Sequence, residues 1–179
     1  ARQLPPDRET TDTAADDVPH SMGHLGAFDV VVESAVEGLR KPDPRIYTLV
    51  CDRLGIAPDD FILGKIARLF TLKGHEDLFA IAPELARRCP RLRFLLVGDG
   101  PWRARFEDRA RTLGLQRQFI FPGLVPPAEV PHLIGIMDML VHLSRREGLP
   151  RSLPQALAAA RPVVACDCDG AREVCLDGE

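Results

Sequence analysis

The sequence predicts an α/β protein of the Rossmann-like type, a three-layer sandwich around a mostly parallel sheet of about six strands. Short apolar runs alternate along the chain with segments of helical periodicity. The connections between those runs are long enough for crossover helices, which parallel strands require. The 179 residues are 45% hydrophobic, which suffices for a substantial core.

Each expected strand is a short run bounded by turn residues. We expect strands at 28–34, 59–64, 92–97, 118–121, 139–143 and 162–165. The first expected helix has Asp43 as its cap and Pro44 at its first position, and it ends at Gly55. Further helices are expected at 73–88, 102–113, 128–137, 152–160 and 170–176. Residues 1–22 are polar and are predicted to form a flexible arm.

The composition excludes several classes of protein. A net charge of -3 with no obviously basic stretch argues against a nucleic-acid partner. No apolar run is long enough to span a membrane, and no signal peptide is visible. The five cysteines lack a paired framework, and Cys166 and Cys168 have no further ligand at metal-binding spacing. We therefore expect reduced thiols, no metal and a cytoplasmic protein.

Four loops follow strands and precede helices, so they should meet at one edge of a parallel sheet. In G-K-I-A-R-L-F-T-L-K-G, Arg68 and Lys73 flank a loop that opens a helix at Gly74. Two cations beside free helix amides can bind a diphosphate, although solvated surface cations are the simpler interpretation. Only three of the 23 basic residues are lysines, namely Lys41, Lys65 and Lys73. Either these positions need the compact charge of an ammonium group, or the low number is due to chance.

The loop S-R-R-E-G-L-P supplies a different chemistry. Glu147 can accept hydroxyl donors, and Gly148 allows a ligand to approach the backbone closely. Together with the cationic loop, this acid suggests a sugar joined to a diphosphate. His75 is expected on the helix surface, with phosphate contact as the alternative, whereas His142 could point into the cleft or into the core.

Residues 64–179 resemble the C-terminal, nucleotide-sugar-binding domain of retaining GT-B glycosyltransferases of family four. The resemblance is carried by G-K-I-A-R-L-F-T-L-K-G-H-E, L-R-F-L-L-V-G-D-G-P, F-I-F-P-G-L-V, S-R-R-E-G-L-P-R-S-L-P-Q-A-L-A-A-A-R-P-V-V-A and G-A-R-E-V. It implies a nucleoside diphosphate sugar as donor, a hexosyltransferase type of reaction and no cofactor.

The resemblance also implies roles for particular residues. Arg68, Lys73 and Glu147 would be catalytic, the two cations stabilising the leaving diphosphate and the acid contacting the sugar. The implied donor-binding residues are Gly148, Leu149, Gln155, Leu124, Val125, Gly98 and Gly100. Gln155 stands where the family has a second acid for the ribose hydroxyls. An amide lacks the charge of that acid, so weaker donor binding is expected.

Residues 23–64 resemble an internal segment of haloacid-dehalogenase-superfamily hydrolases, through R-K-P-D-P-R-I-Y and F-I-L-G. Lys41 matches that family's lysine, but no D-x-D nucleophile or magnesium site accompanies it, so hydrolase chemistry is not expected. The sequence thus suggests a chimera joined near Leu63–Gly64. Its parts would be 1–22, 23–63 and 64–179, with 23–179 merged into one domain.

We therefore expect a nucleotide-sugar-binding domain that is inactive or weakly active alone, because no acceptor domain is recognised. The alternatives are a folded chimeric α/β protein with no ligand and a hydrolase-like fragment. Self-association through an exposed sheet edge or apolar surface is a further expectation.

Overall fold

The computed structural model describes residues 43–175, and the structural statements below concern that range. It contains five strands and five α-helices. The strands are β1 (Phe61–Ile66), β2 (Leu92–Val97), β3 (Phe119–Gly123), β4 (Met139–His142) and β5 (Val163–Ala165). The α-helices are α1 (Arg45–Leu54), α2 (His75–Arg88), α3 (Arg103–Thr112), α4 (Val130–Ile136) and α5 (Ser152–Ala158).

All strand pairings are parallel, and the order across the sheet is β3-β2-β1-β4-β5. The chain builds outward from β1 through β2 to β3 and then crosses back to place β4 on the other side of β1. Leu63 of β1 lies opposite Met139 of β4. The carboxyl ends of β1 and β4 therefore form the point where the strand order reverses, which is where open α/β sheets bind ligands.

Helices cover both faces of the sheet, so the predicted three-layer sandwich is confirmed. On one face α1, α4 and α5 pack residues such as Ile46, Leu133 and Leu153 against the strands. On the other face α2 and α3 contribute Phe79 and Phe106. Phe79 stacks on Phe119 of β3 and on Phe106, which ties the second core together.

The sheet has five strands in the described range rather than about six. The expected strand at 28–34 lies outside the described residues, as do the expected arm at 1–22 and Lys41. The final helix is a 3-10 helix over Asp169–Glu173 instead of an α-helix over 170–176. None of the helices between residues 43 and 175 is long and apolar enough to cross a membrane.

The carboxyl end of α1 follows the sequence signal, whereas the helix begins at Arg45, so that Pro44 directly precedes it and does not occupy the first helical position as expected. The Asp43 carboxylate accepts a hydrogen bond from the backbone N–H of Arg45 at 2.9 Å, which satisfies one free donor of the first turn. Gly55 follows the helix in the left-handed region, with φ 64°. At the far edge of the sheet, β5 leaves Val164 49% exposed, so self-association stays a prediction.

Candidate functional site

A cleft of about 770 Å³ runs along the carboxyl ends of the strands. Its walls come from the loops after β1, β2, β3 and β4 and from the start of α5. The lining residues are Ile66, Ala67, Arg68, Lys73, Val97, Gly98, Asp99, Leu124, Val125, Pro127, Val130, His142, Glu147, Pro150, Arg151, Ser152 and Gln155. The strand order brings these segments together, because β1 and β4 are neighbours despite their separation in sequence.

Seven of the ten described residues proposed for the site from sequence line this cleft. They are Arg68, Lys73, Gly98, Leu124, Val125, Glu147 and Gln155. Gly100, Gly148 and Leu149 do not. Gly100 has a packing reason to be glycine, since a Cβ there would lie 2.4 Å from the carbonyl oxygen of Leu69. Gly148 and Leu149 are exposed beside the cleft, and a Cβ on Gly148 would meet no atom within 4 Å.

Lys73 and Glu147 form an ion pair across the cleft floor, with the Lys73 ammonium donating to Oε2 of the carboxylate. Two further contacts hold the same two loops together. The backbone N–H of Arg145 donates to the Leu72 carbonyl oxygen at 2.8 Å. Gly74 packs so closely that a Cβ on it would lie 1.9 Å from the Leu143 carbonyl oxygen. Backbone contacts between the two loops therefore hold Lys73 and Glu147 close together, so that little side-chain entropy is lost when the pair forms.

The carboxylate of Glu147 is held in its charged form. Partial burial raises its pKa, but the hydrogen bond and charge of Lys73, together with Ser144 and His142, outweigh that effect and lower the pKa overall. The backbone of the same residue is also anchored, since its N–H donates to Oδ2 of Asp169 at 2.8 Å. Glu147 is thus a preorganised acceptor about one quarter exposed to solvent.

Arg68 is exposed on the opposite wall, with its guanidinium carbon 5.4 Å from the centre of the Phe70 ring. Its carbonyl oxygen lies 3.1 Å from Nε2 of His75. The prediction that His75 lies on the helix surface is wrong, because the residue is fully buried. Burial, followed by the charge of Lys65, lowers its pKa to about 4, so His75 is neutral at pH 7 and anchors the Arg68 loop.

At the other end of the cleft, an apolar surface formed after β3 lies beside a polar surface formed by α5. After β3, Leu124 is 52% exposed whereas Val125 is buried, so the leucine offers the accessible apolar surface. Gln155 is exposed on α5 and faces the same space, together with Arg151 and Ser152. Sequence reasoning missed Arg151 and Ser152, although both open the helix that follows the Glu147 loop.

Two basic residues of the central strands lie beneath the cleft. His142 is 3% exposed yet contributes to the lining, so it belongs to both the core and the cleft floor. Burial, and then the charge of Lys65, lowers the pKa of His142. Lys65 itself is 1% exposed. A lysine is unusual inside F-I-L-G-K-I, because strands covered on both faces are normally apolar throughout.

Neither metal ligation nor disulfide bonding marks the site. Between residues 43 and 175, no group of three or more His, Cys, Asp or Glu side chains could hold a metal ion. All five cysteines are free thiols. The absence of a metal in the proposed chemistry stays a prediction.

The sheet order and the position of the cleft define a Rossmann-like class of α/β domain, with its open cleft at the strand-order reversal. The family model for glycosyl transferases group 1 matches residues 51–179. The chain belongs to this family, which has the GT-B type of fold. A mannosyltransferase of Mycolicibacterium smegmatis, described as GDP-mannose-dependent, is 31% identical over 145 residues, covering 77% of this chain and 38% of its own length.

A 2-deoxystreptamine N-acetyl-D-glucosaminyltransferase of Streptomyces fradiae is 29% identical over 175 residues, which is 97% of this chain and 37% of the relative. Among solved structures, HepE of Anabaena in complex with UDP and glucose superposes with a TM-score of 0.68 at 27% identity, covering 76% of this chain and 37% of HepE. The C-terminal domain of LpcC from Francisella tularensis shares the fold, with a TM-score of 0.60 at 23% identity. The chain thus spans less than two fifths of these full-length relatives.

The comparisons do not support a hydrolase-like segment or a chimera. The family match begins at residue 51, inside the segment assigned to a hydrolase, and the Streptomyces fradiae relative aligns with almost the whole chain. The proposed joint at Leu63–Gly64 lies inside β1, a continuous central strand.

Proposed function

We propose that the cleft binds a nucleoside diphosphate sugar and that the chain is the donor-binding part of a retaining glycosyltransferase. The observation that carries this proposal is the Lys73–Glu147 pair at the strand-order reversal of a chain that belongs to the glycosyl transferases group 1 family. One loop offers cations for phosphate, and the facing loop offers an acid for sugar hydroxyls.

In this proposal Arg68 and Lys73 bind the diphosphate. Departure of a nucleoside diphosphate builds negative charge on phosphate oxygens, so preorganised cations stabilise the transition state more than the ground state. The amino terminus of α2, which begins directly after Gly74, adds partial positive charge at the same place. These groups can carry out the role that a metal ion has in other transferases.

Glu147 accepts hydrogen bonds from the donor sugar, and the backbone N–H groups of Gly148 and Leu149, two exposed residues beside the cleft, donate to sugar or phosphate oxygens. Leu124 and Val125 form the apolar wall for the nucleobase, and Gln155 faces the ribose. Gly98 shapes the loop after β2, since a Cβ on it would lie 2.3 Å from the Ala67 carbonyl oxygen. Gly100 contributes to the same packing.

The relatives use two kinds of nucleotide. One is named for its dependence on GDP-mannose, and another was solved with UDP and glucose. We therefore propose either uridine or guanosine diphosphate as the leaving group. Hexosyl transfer is the proposed activity of the whole protein, whereas these 179 residues alone are proposed to bind donor with little or no turnover. The cytoplasm is the proposed compartment, which agrees with five free thiols.

The test is calorimetric titration of the 179-residue chain with UDP, GDP and their hexose conjugates. We expect saturable binding of one nucleotide series. Arg68→Ala and Lys73→Ala should each weaken that binding roughly 10- to 100-fold, the worth of a hydrogen bond between charged groups.

Arg91→Ala is the matched control, because Arg91 precedes β2 at the opposite edge of the sheet and pairs with Asp59 there. The control should bind as the unchanged chain does. The proposal fails if neither nucleotide series binds at millimolar concentration, or if Arg91→Ala weakens binding as much as the two cleft variants.

A further inference from the structure

Lys65 is a buried cation for which the cleft chemistry above has no use. It lies near the carboxyl end of the central strand β1, is 1% exposed, and its Nζ has no hydrogen-bond partner among residues 43–175. Lysine is almost never fully buried without a partner, because removing an ammonium group from water is costly. An exception of this kind calls for an explanation.

The side chain lies on the face of the sheet that α2 covers. Residues two apart in a strand share a face, so Lys65 lies on the same side as Leu63, which packs with Leu78 and Phe79 of α2. Lys65 is therefore beneath the amino-terminal end of α2, a 14-residue helix that starts just after Lys73. That end of a helix carries partial positive charge, which favours an anion nearby and disfavours a second cation.

No carboxylate nearby is left over to balance this charge. The charged and titratable groups that interact with Lys65 are His75 and Asp77 of α2, Lys73 before it, His142 of β4, Glu147 after β4, and Cys166 after β5. Of the two acids, Asp77 already binds the guanidinium of Arg145 at 2.9 Å, and Glu147 already binds Lys73. Lys65 is thus a cation in surplus, directly below the cations of the cleft.

The cost of burying the Lys65 ammonium appears as a lowered pKa. Burial is the largest influence and lowers the pKa of Lys65 to about 8, with Lys73 acting in the same direction and Cys166, Asp77 and Glu147 opposing it. The ammonium is therefore charged at neutral pH and loses its proton within a range that is accessible to experiment.

We infer that Lys65 is a positioning residue that balances Glu147 electrostatically when a bound diphosphate draws Lys73 away from it. This inference rests on the proposed function. Lys73 cannot neutralise the diphosphate and the partly buried carboxylate at the same time. The buried ammonium below them acts on both through a medium of low dielectric, where charges act over longer distances than in water.

The test compares Lys65→Met with the unchanged chain by calorimetric titration of whichever of UDP and GDP binds, at several pH values from neutrality to above the pKa of Lys65. We expect the substitution to weaken binding roughly tenfold at pH 7, while the thermal midpoint stays the same or rises, because methionine fills the space without a charge. The unchanged chain should lose affinity as pH rises through about 8 and approach the affinity of the variant. The last ionisation of a phosphate has a pKa of about 6. Any ionisation that remains above pH 7 adds negative charge and would strengthen binding, so it does not cause the loss.

Two controls accompany the variant. Arg91→Met removes a cation at the amino-terminal edge of the sheet and should leave binding and its pH profile unchanged. Cys166→Ser removes the one thiol among the neighbours of Lys65, and the pH profile should persist in it.

Equal affinities for Lys65→Met and the unchanged chain across the pH range would overturn the inference while leaving the proposed function intact. A flat pH profile in the unchanged chain would overturn it as well, even if Lys65→Met failed to fold. If the unchanged chain bound neither UDP nor GDP, the proposed function itself would fail and take the inference with it.

Discussion

The ammonium of Lys73 donates to the carboxylate of Glu147 although the two residues are 74 positions apart. Their side chains are 25% and 26% exposed, so each remains accessible from the cleft. A diphosphate that takes Lys73 and a sugar that takes Glu147 must separate the two groups. The pair therefore competes with the proposed donor for both of its binding groups.

Glu147→Gln tests that competition, because the amide keeps the shape of the side chain and removes its charge. We expect UDP or GDP alone to bind up to about fivefold more tightly, the worth of a partly exposed ion pair that no longer has to be broken. The additional affinity contributed by the sugar of a nucleotide sugar should shrink, because the acceptor is weaker. Calorimetry with the nucleotide and its hexose conjugate measures both effects.

Glu84→Gln is the matched control for this substitution. Glu84 pairs with Arg87 and Arg88 on the exposed surface of α2, so its loss should leave both affinities unchanged. Equal weakening of nucleotide and nucleotide sugar by Glu147→Gln would contradict a competing ion pair.

Gln155→Glu should tighten nucleotide binding. A carboxylate accepts hydrogen bonds from two ribose hydroxyls with charge assistance, whereas the amide offers one acceptor. The gain should be about 1–2 kcal/mol, measured by calorimetry with the diphosphate that binds. Gln116→Glu makes the same change on an exposed residue before β3, at the far edge of the sheet, and should have no effect. An unchanged or weaker affinity in Gln155→Glu would remove Gln155 from the proposed ribose site.

Gly74→Ala should disturb the cleft through the backbone. Gly74 and Gly114 both have left-handed backbones, with φ of 67° and 71°, so alanine is strained at either position. A Cβ on Gly74 would collide with the Leu143 carbonyl oxygen at 1.9 Å, whereas one on Gly114 would meet no atom within 4 Å.

Urea denaturation should therefore show a loss of about 1 kcal/mol for Gly114→Ala and a clearly larger loss for Gly74→Ala. Only Gly74→Ala should also weaken nucleotide binding, because it separates the loops that carry Lys73 and Glu147. Equal losses of stability in the two variants would mean that the loop contact contributes little.

His75 should make the fold sensitive to mild acid. Burial, followed by the charge of Lys65, lowers the pKa of His75 from 6.5 to about 4. Between pH 6.5 and about 4, His75 is protonated in the unfolded chain but remains neutral in the folded chain. The free energy of unfolding therefore falls as the pH drops through this range. The loss can reach about 3 kcal/mol across that window. His75→Leu should lower stability at pH 7 but flatten this part of the profile, as measured by urea midpoints at pH 7 and pH 5. An unaltered slope in the variant would contradict a buried neutral histidine.

The fold and the centre of the site followed from the sequence because both have local signals. The alternation of strands and helices predicts the parallel sheet. Loops at the carboxyl ends of parallel strands share one edge of the sheet, so the sequence predicts that the loops of Lys73 and Glu147 meet there. The roles of these residues stay predictions. Gly100 could not be separated from Gly98 in the same way, since both belong to one turn and pack closely on the loop after β1, and only the structure shows that Gly98 alone lines the cleft.

His75 shows where the sequence analysis failed. His75, Leu78, Phe79 and Ala82 follow the spacing of one helix face, so the histidine could have been assigned to the core. The hydrolase resemblance failed for a different reason. Short β-α-β segments from unrelated families share patterns of apolar and turn residues, and a match over some forty residues does not distinguish between them.

The position of β4 also has a consequence for how the molecule assembles. The pairs β1–β2 and β2–β3 each join strands that are consecutive in the sequence. β4 instead pairs with β1, and β2 and β3 lie between them in the sequence. Closing a long loop costs more conformational entropy than closing a short one, so the pairing of β4 with β1 should form late in folding. We expect the ability to bind nucleotide to lag behind the recovery of helical circular dichroism on refolding. Nucleotide binding would then report the late pairing of β4 with β1 and not the formation of the helices.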